Sequence, residues 1–111
     1  MIRAIIELDE AGNYKGFSCS GHAGFARKGK DIVCASVSVL VINTANAIDQ
    51  LTDADFKATQ DDNIITFEFE SIPDEKSRLL MDAMIIGLNE IQKSYGRKYL
   101  EFELDKIPGG N

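Results

Sequence analysis

Along the first segment apolar residues recur with a period of two: Ile2, Ala4, Ile6 and Leu8 fall on one side of an extended chain. Asp9-Glu10-Ala11-Gly12-Asn13 interrupts this pattern with turn chemistry. A second strand over about 14–20 then carries Phe17 and Cys19 on one side, and the two strands read as a hairpin. From Ile32 the period changes. Val33, Val37, Leu40, Val41, Thr44, Ala47, Ile48 and Leu51 recur at helical spacing, which predicts a helix from Ile32 to about Leu51 with Asp31 as its N-cap. Its β-branched content gives poor intrinsic helicity, so the helix must draw its stability from packing and is a central element.

Phe56 and Ala58, a turn at Asp61-Asp62-Asn63, and then Ile65, Phe67 and Phe69 predict a second hairpin. Pro73 opens a second helix at its first turn, where a missing N–H costs little. Leu80, Met84, Leu88, Ile91 and Tyr95 form that helix's buried stripe, and Gly96 stops it. A last strand carries Leu100, Phe102 and Leu104, and the tail Pro108-Gly109-Gly110-Asn111 is expected to fray. The order is β-β-α-β-β-α-β. Glu68 and Glu70 alternate with the phenylalanines, and Glu101 and Glu103 with Leu100 and Phe102, so each strand is apolar on one face only. The expected fold class is therefore α+β: two layers, with a largely antiparallel five-stranded sheet and two helices packed on one face. Strand order is not legible in the pattern. At 111 residues the chain is expected to be one domain, residues 1–111.

Composition narrows the function classes. Hydrophobic residues at 44% and charged residues at 27% are the balance of an ordinary globular protein. No apolar run is expected to reach the ~18–20 residues that span a bilayer. Glu7 falls where a signal peptide would continue its apolar stretch, so a cytoplasmic location and no membrane partner are expected. Cys19 and Cys34 do not make a disulfide framework, and a reducing cytosol keeps both as thiols. One histidine and two cysteines are too few soft ligands for a closed zinc site unless carboxylates complete it, so neither metal nor other cofactor is expected. A net charge of −6 argues against direct nucleic-acid binding and favours a basic partner.

Chemistry concentrates between Ser20 and Ser38. This run holds the single histidine, His22, and, twelve positions later, Cys34 in the opening turn of the predicted helix. There the unpaired amides and the helix dipole favour a thiolate. A packed structural cysteine is the plain alternative for Cys34, as a surface loop histidine is for His22. Together the two make a nucleophile and its proton acceptor, joined by a loop with Gly21, Gly24 and Gly29 that can move. Asp31 reads first as a helix cap and secondly as a group that orients His22. Ser38 lies one helical turn beyond Cys34 on the same face, able to touch substrate or to bond back to a helix carbonyl. Cys19, alternating inward on a strand, reads as core.

One competing motif lies in the same run. Gly24-Phe25-Ala26-Arg27-Lys28-Gly29-Lys30 matches part of a phosphate-binding loop. Asp31 follows where that motif needs Ser or Thr for magnesium, and no parallel βαβ frame surrounds it. Nucleotide binding ranks well below thiol chemistry.

The segments Gly21-His22-Ala23-Gly24 and Asp31-Ile32-Val33-Cys34-Ala35-Ser36-Val37-Ser38 at this separation closely resemble the ribosomal-processing cysteine protease family, Prp. The similarity runs along the whole chain, with no departure from the motif. The resemblance implies a cytoplasmic bacterial endopeptidase with a Cys–His dyad. Its substrate would be the precursor of ribosomal protein twenty-seven of the large subunit, a basic protein, cut after an aromatic residue to remove a short N-terminal extension. By position Cys34 is the nucleophile and His22 the general base, and Gly21, Asp31 and Ser38 match the family's other characteristic site positions. A homodimer, and a loop between His22 and Cys34 that reorders around the substrate peptide, are implied as well. The alternatives are a non-enzymatic ribosome-assembly or precursor-binding module, and a phosphate- or nucleotide-binding protein.

Overall fold

The computed structural model describes residues 1–21 and 32–107. The alternating segments at the start form strands β1 (Ile2–Leu8) and β2 (Tyr14–Gly21), paired antiparallel with Ile6 opposite Phe17 and Ala4 opposite Cys19. The turn between them is fixed by Asp9, whose carboxylate accepts from the backbone and side-chain amides of Asn13 at 2.8 and 3.1 Å. These bonds hold the Asp9 carboxyl below its ordinary pKa. Then come α1 (Ile32–Leu51), β3 (Phe56–Asp61), β4 (Ile64–Phe69), α2 (Glu75–Tyr95) and β5 (Leu100–Lys106). The order β-β-α-β-β-α-β is as the sequence predicts.

The five strands lie in the order β3-β4-β2-β1-β5. All neighbours are antiparallel except β1 and β5, which are parallel. It follows that β2 and β3 run in the same direction, as do β4 and β5, so each helix is a crossover between parallel strands. This corrects the expectation that no parallel βαβ frame surrounds the Gly24–Lys30 segment; Asp31 in place of Ser or Thr is what argues against a phosphate loop. The two crossovers step in opposite directions across the sheet from strands of opposite direction. Right-handed connections, the general rule, then place both helices on the same face.

The side chains agree. Ile2, Ala4, Ile6, Phe17, Cys19, Phe67, Phe69 and Leu100 share one face by register, and all are buried. Against them α1 buries Val33, Val37, Val41, Thr44 and Ile48, and α2 buries Ser77, Met81, Met84 and Leu88. Phe67 anchors the sheet side of this core. Its ring stacks on Phe17 at 5.0 Å and on Phe56 at 4.6 Å, and meets Phe69 edge-on at 4.9 Å.

Five further sequence expectations need correction or qualification. The helix α1 is long and apolar enough by length and composition to cross a bilayer, although no uninterrupted apolar run is that long. Its apolar residues serve the core instead, with the stripe from Val33 to Ile48 packed into it. Leu51, expected in that stripe, is exposed at the end of the helix. Pro73 stands two residues ahead of α2, because Asp74 supplies the N-cap by accepting from the Ser77 amide at 2.8 Å. The α2 stripe is Ser77-Met81-Met84-Leu88, while Leu80, Ile91 and Tyr95 flank the core half-buried. Leu104 is 55% exposed because β5 is an edge strand with its far end uncovered. The tail from Pro108 to Asn111 lies outside the described residues.

One glycine is demanded by the sheet. Gly16 lies so close to β4 that an added Cβ would stand 2.1 Å from the Phe67 carbonyl oxygen, a backbone atom with nowhere to go. Gly16→Ala is expected to destabilise the protein by about 1–3 kcal/mol, the usual cost of overpacking, as measured by urea unfolding. An unchanged unfolding midpoint would show that β2 and β4 can separate at no cost.

Candidate active site

Because β2 and β3 are parallel, the end of β2 and the turn between β3 and β4 meet at the same edge of the sheet. The Gly21 amide donates to the Asn63 carbonyl at 3.1 Å, tying the two together. Ile2, at the start of β1, is in register with Gly21. The opening turn of α1 comes to this edge, bringing Cys34 with it. Between these parts lies a cleft of about 150 Å³. Its apolar lining is Ile2, Val37, Ile42 and Ile65, with the thiols of Cys19 and Cys34. Its polar lining is Gly21, Ser38, Gln60, Asp62 and Asn63.

The structure thus brings together three of the residues singled out by sequence: Gly21, Cys34 and Ser38. His22 and Asp31 lie outside the described residues, as does the Gly24–Lys30 segment of the phosphate-loop motif. Cys34 is half-buried, as befits a thiol at the mouth of a cleft. The hydroxyl that bonds back to a helix carbonyl in this turn is that of Ser36, which donates to Ile32 at 2.6 Å.

Gly21 has a backbone reason to be glycine. Its φ is +91°, in the region that side chains rarely adopt, and an added Cβ would lie 2.4 Å from the Met1 carbonyl oxygen. The chain therefore leaves β2 in a direction only glycine permits, directly beside the cleft. This is the last described residue before the segment that carries His22.

Cys19 has a double character. It is a core residue as expected, buried on the apolar face of β2, yet it also borders the cleft. Burial pushes its thiol up to about 11, and negative charge on the Cys34 sulfur adds to the shift. Sequence reasoning missed Gln60, Asp62 and Asn63 as cleft residues. Their turn was legible, with Asp62 at φ 43°, but only the strand order carries that turn to the end of β2.

Comparison with known proteins gives a consistent picture. The family described as "Cysteine protease Prp" matches residues 1–100. The chain is 35% identical over 101 residues to the ribosomal processing cysteine protease Prp of Bacillus subtilis (strain 168), covering 86% of this chain and 90% of that one. It is 30% identical over 97 residues to the protein of the same name from Staphylococcus aureus (strain Mu50 / ATCC 700699), covering 86% and 92%. Its fold matches the crystal structure of the S. aureus essential ribosomal processing protease Prp with a covalently linked product peptide. That match has a TM-score of 0.88 at 24% identity and covers 95% of this chain and 100% of that one.

The raised Cys19 thiol sets a pH dependence. In the folded protein it stays protonated to about 11, whereas in the unfolded chain it ionises near 9.0. Its contribution to stability is complete below the unfolded value and is lost as pH rises through the folded one. Urea unfolding of wild type and Cys19→Ala across this window is expected to show wild type losing stability relative to the variant as pH rises. A difference independent of pH would contradict the assignment.

Proposed function

The chain belongs to the Prp family of ribosomal-processing cysteine proteases, and from that premise we propose that it removes the N-terminal extension from the precursor of ribosomal protein twenty-seven of the large subunit. The cut follows an aromatic residue. The observation that carries this reading is the position of Cys34, in the opening turn of α1 at the cleft of about 150 Å³. A thiol there can be reached by an extended peptide laid along the sheet edge.

In the proposed reaction His22 takes the proton of Cys34, and the thiolate attacks the scissile carbonyl carbon. The carbon–nitrogen bond breaks as His22 returns the proton to the leaving amine. Water then hydrolyses the thioester, releasing the N-terminal fragment as a carboxylate and restoring the thiol. Backbone amides at the start of α1 hold the oxyanion. Asp31 caps the helix and orients His22. Ser38, one turn beyond Cys34, meets the substrate within the cleft. Gly21 sets the direction in which the chain leaves β2 toward His22, a consequence of its φ of +91°.

Residues 1–111 form one catalytic domain acting in the cytoplasm as a homodimer, with no metal or other cofactor. The net charge of −6 suits a basic ribosomal protein as substrate. The S. aureus relative with its covalently linked product peptide supports a covalent route in that protein, and the present proposal extends this chemistry to Cys34.

Cleavage of the purified precursor, followed by mass spectrometry of the released fragment, tests the reading. Cys34→Ala is expected to lower kcat/KM by on the order of 10³-fold or more, and His22→Ala by a comparable factor, because the pair acts as a unit. Undiminished cleavage by Cys34→Ala would exclude this mechanism. A wild-type protein that binds the precursor without cutting it would point to a binding module.

A further inference from the structure

The proposed mechanism uses one thiol, yet the cleft has two. Cys19 enters from β2 and Cys34 from α1, successive elements that the fold brings to one small cavity. Two features make the pair chemically connected. The cleft between them is lined by Ile2, Val37, Ile42 and Ile65. Opposite Cys19 in the register of β1 stands Ala4, the smallest side chain in its row. Negative charge on the Cys34 sulfur raises the Cys19 thiol, in keeping with the cleft the two share. Cys34 belongs to the opening turn of its helix, where the backbone has the fewest intrahelical bonds and can adjust to a new covalent bond.

We propose that Cys19 is the resolving thiol for Cys34, so that peroxide converts the pair into an intramolecular disulfide that reversibly removes the nucleophile. In the first step the Cys34 thiolate attacks one oxygen of hydrogen peroxide. A sulfur–oxygen bond forms, the oxygen–oxygen bond breaks, and hydroxide leaves and takes up a proton to become water. Sulfur is oxidised by two electrons and peroxide is reduced. In the second step Cys19 attacks the sulfenic sulfur. The disulfide forms, the sulfur–oxygen bond breaks, and the hydroxyl leaves as water with the Cys19 proton. The sum is two thiols and one peroxide giving one disulfide and two waters. An external dithiol reverses it.

The buried, protonated state of Cys19 suits this role. Its thiol, pushed up to about 11, is a poor first target for peroxide, so oxidation begins at Cys34. Once Cys34 is a sulfenic acid, Cys19 is the second thiol of the same cleft and attacks it. The device protects as well as silences: without a resolving thiol, a nucleophilic cysteine proceeds to sulfinic and sulfonic acids, which reductants do not restore. The inference rests on the peptidase reading only for its biological consequence. The bond itself is a property of the two thiols.

The test uses the intact protein treated with hydrogen peroxide and digested with trypsin under non-reducing conditions. Cleavage at Lys15, Arg27 and Lys30 separates the two cysteines into different peptides. The expected result is one linked peptide pair lacking two hydrogens, monomeric on a denaturing gel, with both thiols recovered by dithiothreitol. Phenylarsine oxide, which bridges adjacent thiols, is expected to block iodoacetamide labelling of both cysteines in wild type but not that of Cys34 in Cys19→Ala. After peroxide and then dithiothreitol, Cys19→Ala is expected to regain ~10-fold less of its own starting activity than wild type does, because its Cys34 overoxidises. Sulfinic or sulfonic acid at Cys34 in wild type with Cys19 still alkylated, or a disulfide only between two copies, would overturn the proposal. The mass readout does not depend on peptidase activity, so its failure is distinguishable from failure of the peptidase reading.

Discussion

The structure depends on the seating of α1 against the sheet. Five residues, Val33, Val37, Val41, Thr44 and Ile48, give a stripe that fits the apolar face of the sheet. Three valines and an isoleucine in one helix would be a poor choice in isolation, since β-branched side chains lose rotamer freedom there. Burial of that stripe, worth about 1.5–3 kcal/mol for each fully buried aliphatic side chain, outweighs the loss. Because the stripe begins at Val33, the same packing that stabilises the helix fixes where its first turn lies. Cys34 follows Val33 directly, and on a helix the next residue points about a hundred degrees away. It sits half-buried at the border of the core and reaches the cleft.

The sheet supplies the other walls through its topology. With β2 and β3 parallel and β4 between them, the last residue of β2 and the turn after β3 share one edge. The bond from the Gly21 amide to the Asn63 carbonyl closes this edge. Two constraints on glycine guard the arrangement at either end of β2: Gly16 is pressed against the Phe67 carbonyl, and Gly21 against that of Met1. Both hold β2 where its last residue borders the cleft.

The sequence was informative where structure follows local pattern. Strand alternation located every strand, and helical spacing placed α1 from Ile32 to Leu51 as observed. It was less so where burial is set by neighbours. Ser77 is wholly buried at the start of α2, a position no hydropathy pattern marks, while Leu104 lies open because its strand ends the sheet. Pro73 signalled a helix start, but the neighbouring Asp74 carboxylate is the stronger cap. In the candidate site, Gly21, Cys34 and Ser38 were accessible from one short run of sequence. Gln60, Asp62 and Asn63 were not, since their membership depends on strand order. Cys19 carried only its inward alternation, and its second role at the cleft emerges from the meeting of β2 with α1.

The account's central claim is that the Cys34 thiol, approached through this cleft, is the group that attacks the peptide. A chloromethyl ketone carrying the residues that precede the scissile bond measures this directly, because it binds as substrate does and alkylates the attacking atom. Peptide mapping after stoichiometric reaction is predicted to find the adduct on Cys34 alone, with labelling slowed by intact precursor. An adduct on Cys19, or labelling of Cys34 that the precursor does not slow, would contradict the claim.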